Sequence, residues 1–248
     1  LIPILPLAGA AINGLLGKKF PKDLVTAVGV GAPLLSLLLA LGCLWKYGHS
    51  TFPNDAYEQV KYAWTTGALA IPAGFLLDRL SSVMLFIVTF VGFLIHVYSA
   101  GYMEDDPGFW RFFAYMNFFI FSMVLLVIAD NFLFLLVGWG LVGLASFLLI
   151  GFWYQRRAPL AAARKALVIN IIGDFGLMLA IFLIFINYGT LNYQGVFSNI
   201  NAVGAGSGTA LAICLLLFLA CAAKSAQLPL YMWLPDAMEG PTPVSALI

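Results

Sequence analysis

Apolar stretches of about 17–25 residues, the length a helix needs to cross a bilayer, recur along this chain at 1–17, 24–45, 80–102, 110–129, 131–153, 164–186 and 209–239, and another begins near Thr242. In lipid such segments satisfy their backbone groups by closing into helices. The pattern predicts an all-α polytopic membrane protein with about seven transmembrane helices and the start of an eighth. Hydrophobic residues make up 62% of the chain and charged residues 9%, a balance that a globular domain in water cannot carry. A formal net charge of +1 offers no basic footprint, so nucleic-acid binding is set aside. Cys43, Cys214 and Cys221 all sit in apolar runs, with no histidine at metal-ligand spacing. They read as small core residues rather than as a disulfide or a metal site. The chain opens on Leu1 and ends at Ile248 inside an unfinished apolar run, so we expect a piece of a longer protein.

The run 209–239 is too long for one straight span. At ~1.5 Å per residue it overshoots a hydrocarbon core of ~30 Å. Pro229 and Pro235 are expected to divide it into two half-helices, making helix seven discontinuous. Lys224 stands just before the break, near the centre of the run. Ionisable residues at membrane depth are costly and mark ion or proton routes, and interrupted helices carry the midplane sites of transporters.

Lysines and arginines in short loops set orientation. Lys18, Lys19 and Lys22 follow the first run, and Arg156, Arg157, Arg164 and Lys165 are read as a loop between the fifth and sixth; both groups belong on the cytoplasmic side. The N-terminus, 46–79 and 187–208 then fall on the opposite face, and parity places 102–111 inside although Glu104, Asp105 and Asp106 outnumber Arg111. Residues 62–77, with Thr65, Thr66, Ile71 and Pro72, suit a short extended hairpin better than a span.

Three blocks carry a specific resemblance. They are Gly101-Tyr102-Met103 with Pro107 to Phe113, then Leu148 to Tyr154, and above all Ala223-Lys224-Ser225-Ala226-Gln227-Leu228-Pro229-Leu230 continuing from Trp233 through Ile248. In order and spacing the chain resembles the NuoL-type antiporter-like subunits of NADH:quinone oxidoreductase (respiratory complex I), whose relatives include chloroplast NdhF and the Mrp-type cation/proton antiporters. The resemblance implies a membrane-arm subunit of two inverted repeats, each holding a half-channel. Residues 1–109 would be helices one to three with an external hairpin, and 110–248 a truncated first repeat. It also implies no redox centre in this chain: NADH, flavin, iron–sulfur clusters and quinone belong to partner subunits of a hetero-oligomer in the bacterial inner (plasma) membrane.

By the same resemblance, Lys224 matches the lysine that shuttles protons between the two halves. An amine in low dielectric holds or releases its proton according to how near a carboxylate stands. Its bland reading is a structural amine satisfied by Ser225, Gln227 or a carbonyl freed by Pro229. Asp174, about ten residues into the sixth run, matches a family aspartate; it is either a partner modulating Lys224 or a helix-packing polar residue between Gly173 and Gly176. His96 is a candidate relay, or a histidine hydrogen-bonded to a neighbouring helix. Asp236 and Glu239 read as a solvated helix end, with proton entry as the alternative.

The chain also departs from the family. Where relatives read Gly-Trp-Glu, with the glutamate paired to the lysine, this chain reads Gly138-Trp139-Gly140. Where they carry arginine three residues before the aspartate, it carries Ile171. Losing one buried acid and one buried base together leaves no unpaired charge, and we read the two changes as compensating. Asp174 is then the remaining midplane carboxylate for Lys224.

Three functions follow. The first is a non-redox, proton-translocating subunit of NADH:quinone oxidoreductase, favoured by the block Gly101–Phe113. The second is a cation/proton antiporter or inorganic-carbon uptake subunit on the same fold. The third is a scaffold subunit that has lost translocation along with the glutamate.

Overall fold

The computed structural model describes residues 1–50, 56–66, 69–199 and 207–248 of the chain, without the side chains of residues 60–73. Each predicted run contains a helix: α1 (Ile4–Leu16), α2 (Lys22–Gly48), α3 (Arg79–Tyr102), α4 (Phe109–Val127), α5 (Phe132–Ile150), α6 (Arg157–Tyr188) and α7 (Gly208–Lys224), with α8 (Thr242–Leu247) at the end. Five of them, α2 to α6, are long and apolar enough to cross a membrane. Helix α1 has 13 residues and α7 has 17, both shorter than the runs that contain them.

The helix starts follow from local chemistry. Asp78 Oδ1 accepts from Ser81 N at 2.7 Å and Ser81 Oγ accepts from Asp78 N at 2.7 Å, a reciprocal cap that opens α3. Asn131 Oδ1 accepts from Phe134 N at 2.8 Å to open α5, and Ser207 Oγ accepts from Ala210 N at 3.2 Å to open α7. Helix α6 begins at Arg157, seven residues ahead of the expected 164. Pro159 falls in its first turn, where a missing N–H costs nothing, and the alanines that follow favour helix. Arg157, Arg164 and Lys165 therefore lie on the helix and not in a loop. At its far end, Gly189 takes the left-handed conformation, φ +68°, that terminates α6.

Helix α4 is the hub. Phe112, Phe113 and Met116 are fully buried, and Phe112 meets Phe152 edge to face at 5.3 Å between ring centroids. One end of the bundle gathers the α1–α2, α3–α4 and α5–α6 connections: Lys22 Nζ donates to the Glu104 carbonyl, and Arg111 donates to the Phe152 carbonyl at 3.2 Å. This matches the parity reading of 102–111.

At the other end lies the expected hairpin. Strand β1 (Tyr57–Thr66) pairs antiparallel with β2 (Leu69–Leu77), Tyr57 opposite Leu77, with a register shift between Val60 and Tyr62. It begins five residues earlier than 62, because Tyr57 to Val60 find partners in β2. It docks through Leu76 N, which donates to the Ile128 carbonyl at 2.9 Å, and through a bridge between Phe75 and Ala129.

Two expectations need correction. The second half-helix beyond Pro229 shrinks to a 3₁₀ turn, Leu230–Met232, and a five-residue helix, Trp233–Ala237. Pro229, Pro235, Pro241 and Pro243 lack the N–H donors that a longer helix needs. The three cysteines are free thiols on exposed helix faces and not in the core. In a membrane protein the outward face is as apolar as the inward one, so an apolar run does not say which way a cysteine points.

Candidate functional site

Helices α6 and α7 approach closely because glycines line the seam. A Cβ on Gly173 would sit 2.6 Å from the Ala223 Cβ, and one on Gly176 would sit 3.0 Å from the Leu216 carbonyl. Asp174, between them in sequence and midway along α6, is thereby carried alongside Lys224, the last residue of α7. Helix α5 is pinned on its other side by Gly138, where a Cβ would lie 2.7 Å from the Leu126 Cα of α4. With that face against α4, Trp139 and Gly143 meet α6 and α7.

Lys224, Asp174 and Trp139 form one cluster. The indole Nε1 of Trp139 donates to Asp174 Oδ1 at 2.8 Å. Lys224 Nζ lies over the same indole, 5.5 Å from its ring centroid. Gly143 makes room for the amine, since a Cβ there would be 3.3 Å from Nζ. The charge of Asp174 acts on Lys224. Among the described residues, Nζ is buried with no hydrogen-bond partner.

The carbonyls near the break are already used by other groups. Gln227 N donates to Ala222 O at 2.8 Å and Ala226 N to Ala223 O at 3.3 Å, the paired bonds of a Schellman end. Ala226 occupies the left-handed position at φ +50°, strained for a residue with a Cβ. Trp233 Nε1 also donates to Ala223 O, at 2.9 Å. The bland reading of Lys224, an amine tied to Ser225, Gln227 or a freed carbonyl, does not hold. Pro229 follows the break rather than feeding a carbonyl to the amine.

Asp236 and Glu239 lie at an exposed helix end, outside the cluster. Asp236 pairs with Lys165 of α6 at 2.8 Å, both side chains about half exposed, and ties the segment after the break to α6. His96 is fully buried on α3, and its Nδ1 lies 2.7 Å from the Gly92 carbonyl of its own helix rather than bonding a neighbour. Its ring tilts against Phe113 of α4 at 6.2 Å, apart from the lysine cluster, and Nε2 has no partner among the described residues.

Gly140 and Ile171 face outward: a Cβ on Gly140 would meet nothing within 4 Å, and Ile171 is 39% exposed. The α5 positions nearest the amine are Trp139 and Gly143. Trp139 was legible in the motif only as the neighbour of an absent glutamate; a buried indole N–H needing an acceptor was the available signal.

A second polar cluster lies under the hairpin and went unnoticed in the sequence. Asp130 is 1% exposed; Oδ1 accepts from Asn131 Nδ2 at 2.6 Å, and Oδ2 abuts Gly74 of β2, where any side chain would overlap it. Asn192 Nδ2 donates to Glu58 Oε1 at 3.2 Å. Burial pushes the Asp130 carboxyl above its ordinary value and the charge of Glu58 adds to this, against the Asn131 hydrogen bond. Burial, then the charge of Asp130, pushes the Tyr193 phenol up. Among the described residues, no three His, Cys, Asp or Glu side chains gather as a metal site.

Comparison with known proteins gives consistent matches. Residues 129–248 match the family described as NADH:quinone oxidoreductase/Mrp antiporter, TM, and residues 64–113 match the NADH-Ubiquinone oxidoreductase (complex I), chain 5 N-terminus. The chain is 46% identical to NADH-quinone oxidoreductase subunit L of Mycobacterium tuberculosis over 100% of its own length and 39% of that protein's. It is 40% identical to NADH-ubiquinone oxidoreductase chain 5 of Dictyostelium citrinum, across 99% of this chain and 38% of the relative. Among solved structures, a chain of the Mrp complex from Dietzia sp. DQ12-45-1b superposes with a TM-score of 0.84 at 27% identity, over 100% of this chain and 26% of that one. The chain thus spans well under half the length of these relatives.

Proposed function

Because the chain belongs to the NADH:quinone oxidoreductase/Mrp antiporter family of membrane proteins, we propose that it carries the first half-channel of a proton-translocating membrane-arm subunit, with Lys224 as its proton carrier. In this reading α1 and α7 complete seven spans, α8 opens the eighth, residues 1–109 are the leading helices with their hairpin, and 110–248 are the first repeat. The subunit has no redox centre. It works in a hetero-oligomer in the plasma membrane, whose other subunits hold NADH, flavin, iron–sulfur clusters and quinone.

The observation that carries the reading is the state of the amine. A structural lysine at this depth would be hydrogen-bonded, because an unsatisfied buried charge is costly. Lys224 Nζ has no such bond among the described residues, and only an aromatic face and a nearby carboxylate stand beside it. An amine held this loosely can give up and regain its proton as Asp174 moves by small distances.

The test is proton uptake by proteoliposomes holding the full-length protein in its native complex. Lys224→Ala should abolish uptake driven by electron transfer while the complex still assembles. Uptake at the wild-type rate would overturn the proposal.

A second reading, a cation/proton antiporter subunit, is favoured by the likeness to the Mrp complex chain. It predicts that a sodium gradient alone drives proton movement in the same vesicles, and that Lys224→Ala stops it.

A further inference from the structure

We infer that Trp139 is a positioning residue that keeps Lys224 and Asp174 apart, so that the carboxylate influences the amine without capturing it. The inference rests on Lys224 being the proton carrier.

A lysine and an aspartate side by side in low dielectric tend to collapse into a contact ion pair, since neither is otherwise solvated and their attraction is poorly screened. A collapsed pair holds its proton and cannot pass it on. Here the collapse is blocked in two ways by one side chain. The indole N–H is bonded to Asp174 Oδ1 at 2.8 Å, which commits that oxygen. The indole face lies under Lys224 Nζ at 5.5 Å, giving the ammonium an electrostatic partner that is not a proton acceptor. One ring therefore offers its positive edge to the acid and its negative face to the base.

The scaffold holds the ring in that role. Gly138 packs α5 closely against the α4 backbone and Gly173 packs α6 against α7, so the helix spacing is set by these contacts and the charges would meet through side-chain rotation. Gly143 leaves the space into which the amine extends. Helix α5 carries no charge and α7 carries only Lys224; on the facing elements, Arg157, Arg164 and Lys165 lie nine or more residues before Asp174 along α6, Lys165 pairs with Asp236 at 2.8 Å, and Glu239 is exposed beyond the break. Rotation of one indole would release both partners at once. Trp139 thus separates two states, acid bound to indole and acid bound to lysine.

The experiment uses the full-length protein in its complex. Trp139→Phe keeps an aromatic face but removes the N–H donor. A cryo-EM structure of this variant should place Lys224 Nζ within 4 Å of an Asp174 oxygen, and proton uptake should fall at least about tenfold. Charges that stay apart would overturn the inference whether or not protons move, whereas wild-type uptake by Lys224→Ala would overturn only the underlying reading. Ultraviolet resonance Raman provides an independent measurement. The indole N–H band of Trp139, isolated by subtracting the Trp139→Phe spectrum, should move to its non-hydrogen-bonded position in Asp174→Ala. If Trp139→Phe does not accumulate, the same band is isolated as the wild-type minus Asp174→Ala difference. The absence of any difference there would equally overturn the inference.

Discussion

Trp233 and Ala223 close the bend: the indole Nε1 donates to the Ala223 carbonyl at 2.9 Å, folding the chain beyond the break back onto the turn that holds Lys224. Trp233 is 4% exposed, so the bond is shielded from competing partners. Trp233→Phe keeps most of the buried ring and removes the shorter of the two hydrogen bonds to the Ala223 carbonyl, which retains the one from Ala226 N at 3.3 Å. The expected cost is about 0.5–1.5 kcal/mol, read as a lower melting temperature of the detergent-solubilised full-length protein. Melting at the wild-type temperature would show that the indole bond does not secure the bend.

Asp174→Asn separates charge from shape. The asparagine Oδ1 can still accept from Trp139 Nε1, so the positioning bond at 2.8 Å survives while the negative charge acting on Lys224 is removed. Proton uptake should drop nearly as far as in Lys224→Ala, by at least about tenfold, the effect of ~1.4 kcal/mol on a barrier. Undiminished uptake in the reconstituted Asp174→Asn complex would leave Asp174 as a packing residue between Gly173 and Gly176.

Much of this arrangement is legible before folding, for physical reasons that differ by residue. Lys224 and Asp174 stand out because charge inside an apolar run is rare. The break at Pro229 and the hairpin before α3 are readable because proline and β-branched residues act locally. Trp139 and Trp233 are not, since an aromatic side chain in an apolar helix gives no sign of which polar atom its N–H will reach. The outward cysteines fail for a related reason: lipid and core reward the same composition. Asp130 escapes because it sits at a helix boundary, where an acid is ordinary, and only the docked hairpin makes it buried.

Asp130 should make the hairpin sensitive to pH. Its carboxyl is raised above the ordinary aspartate value, mainly by burial. The folded state thus favours the protonated acid. The stability it contributes is fully present below the unfolded value of about 4 and is lost as pH rises through the folded value. Hydrogen exchange at Leu76, whose N–H is bonded to the Ile128 carbonyl at 2.9 Å, reports on the docking. After correction for intrinsic exchange, protection should be greater at about pH 4, the unfolded value, than at pH 8 in the wild type and nearly equal in Asp130→Asn. A pH dependence that survives the substitution would move its origin elsewhere.

The paired departures at 140 and 171 lead to the last prediction. Position 140 opens on free space and Ile171 is 39% exposed, so a glutamate and an arginine placed there would both start from outward faces, on α5 and α6. Within a membrane or against a partner subunit those faces are apolar, and a lone carboxylate costs several kcal/mol unless a cation meets it. Gly140→Glu alone should therefore lower assembly or proton uptake more than Gly140→Glu combined with Ile171→Arg, in which the added charges sum to zero. Trp139 and Gly143, which face Lys224, are unchanged in both variants, so a difference between them reports on the outward charges and not on the lysine cage. Equal assembly and equal uptake would mean that the two departures do not compensate each other.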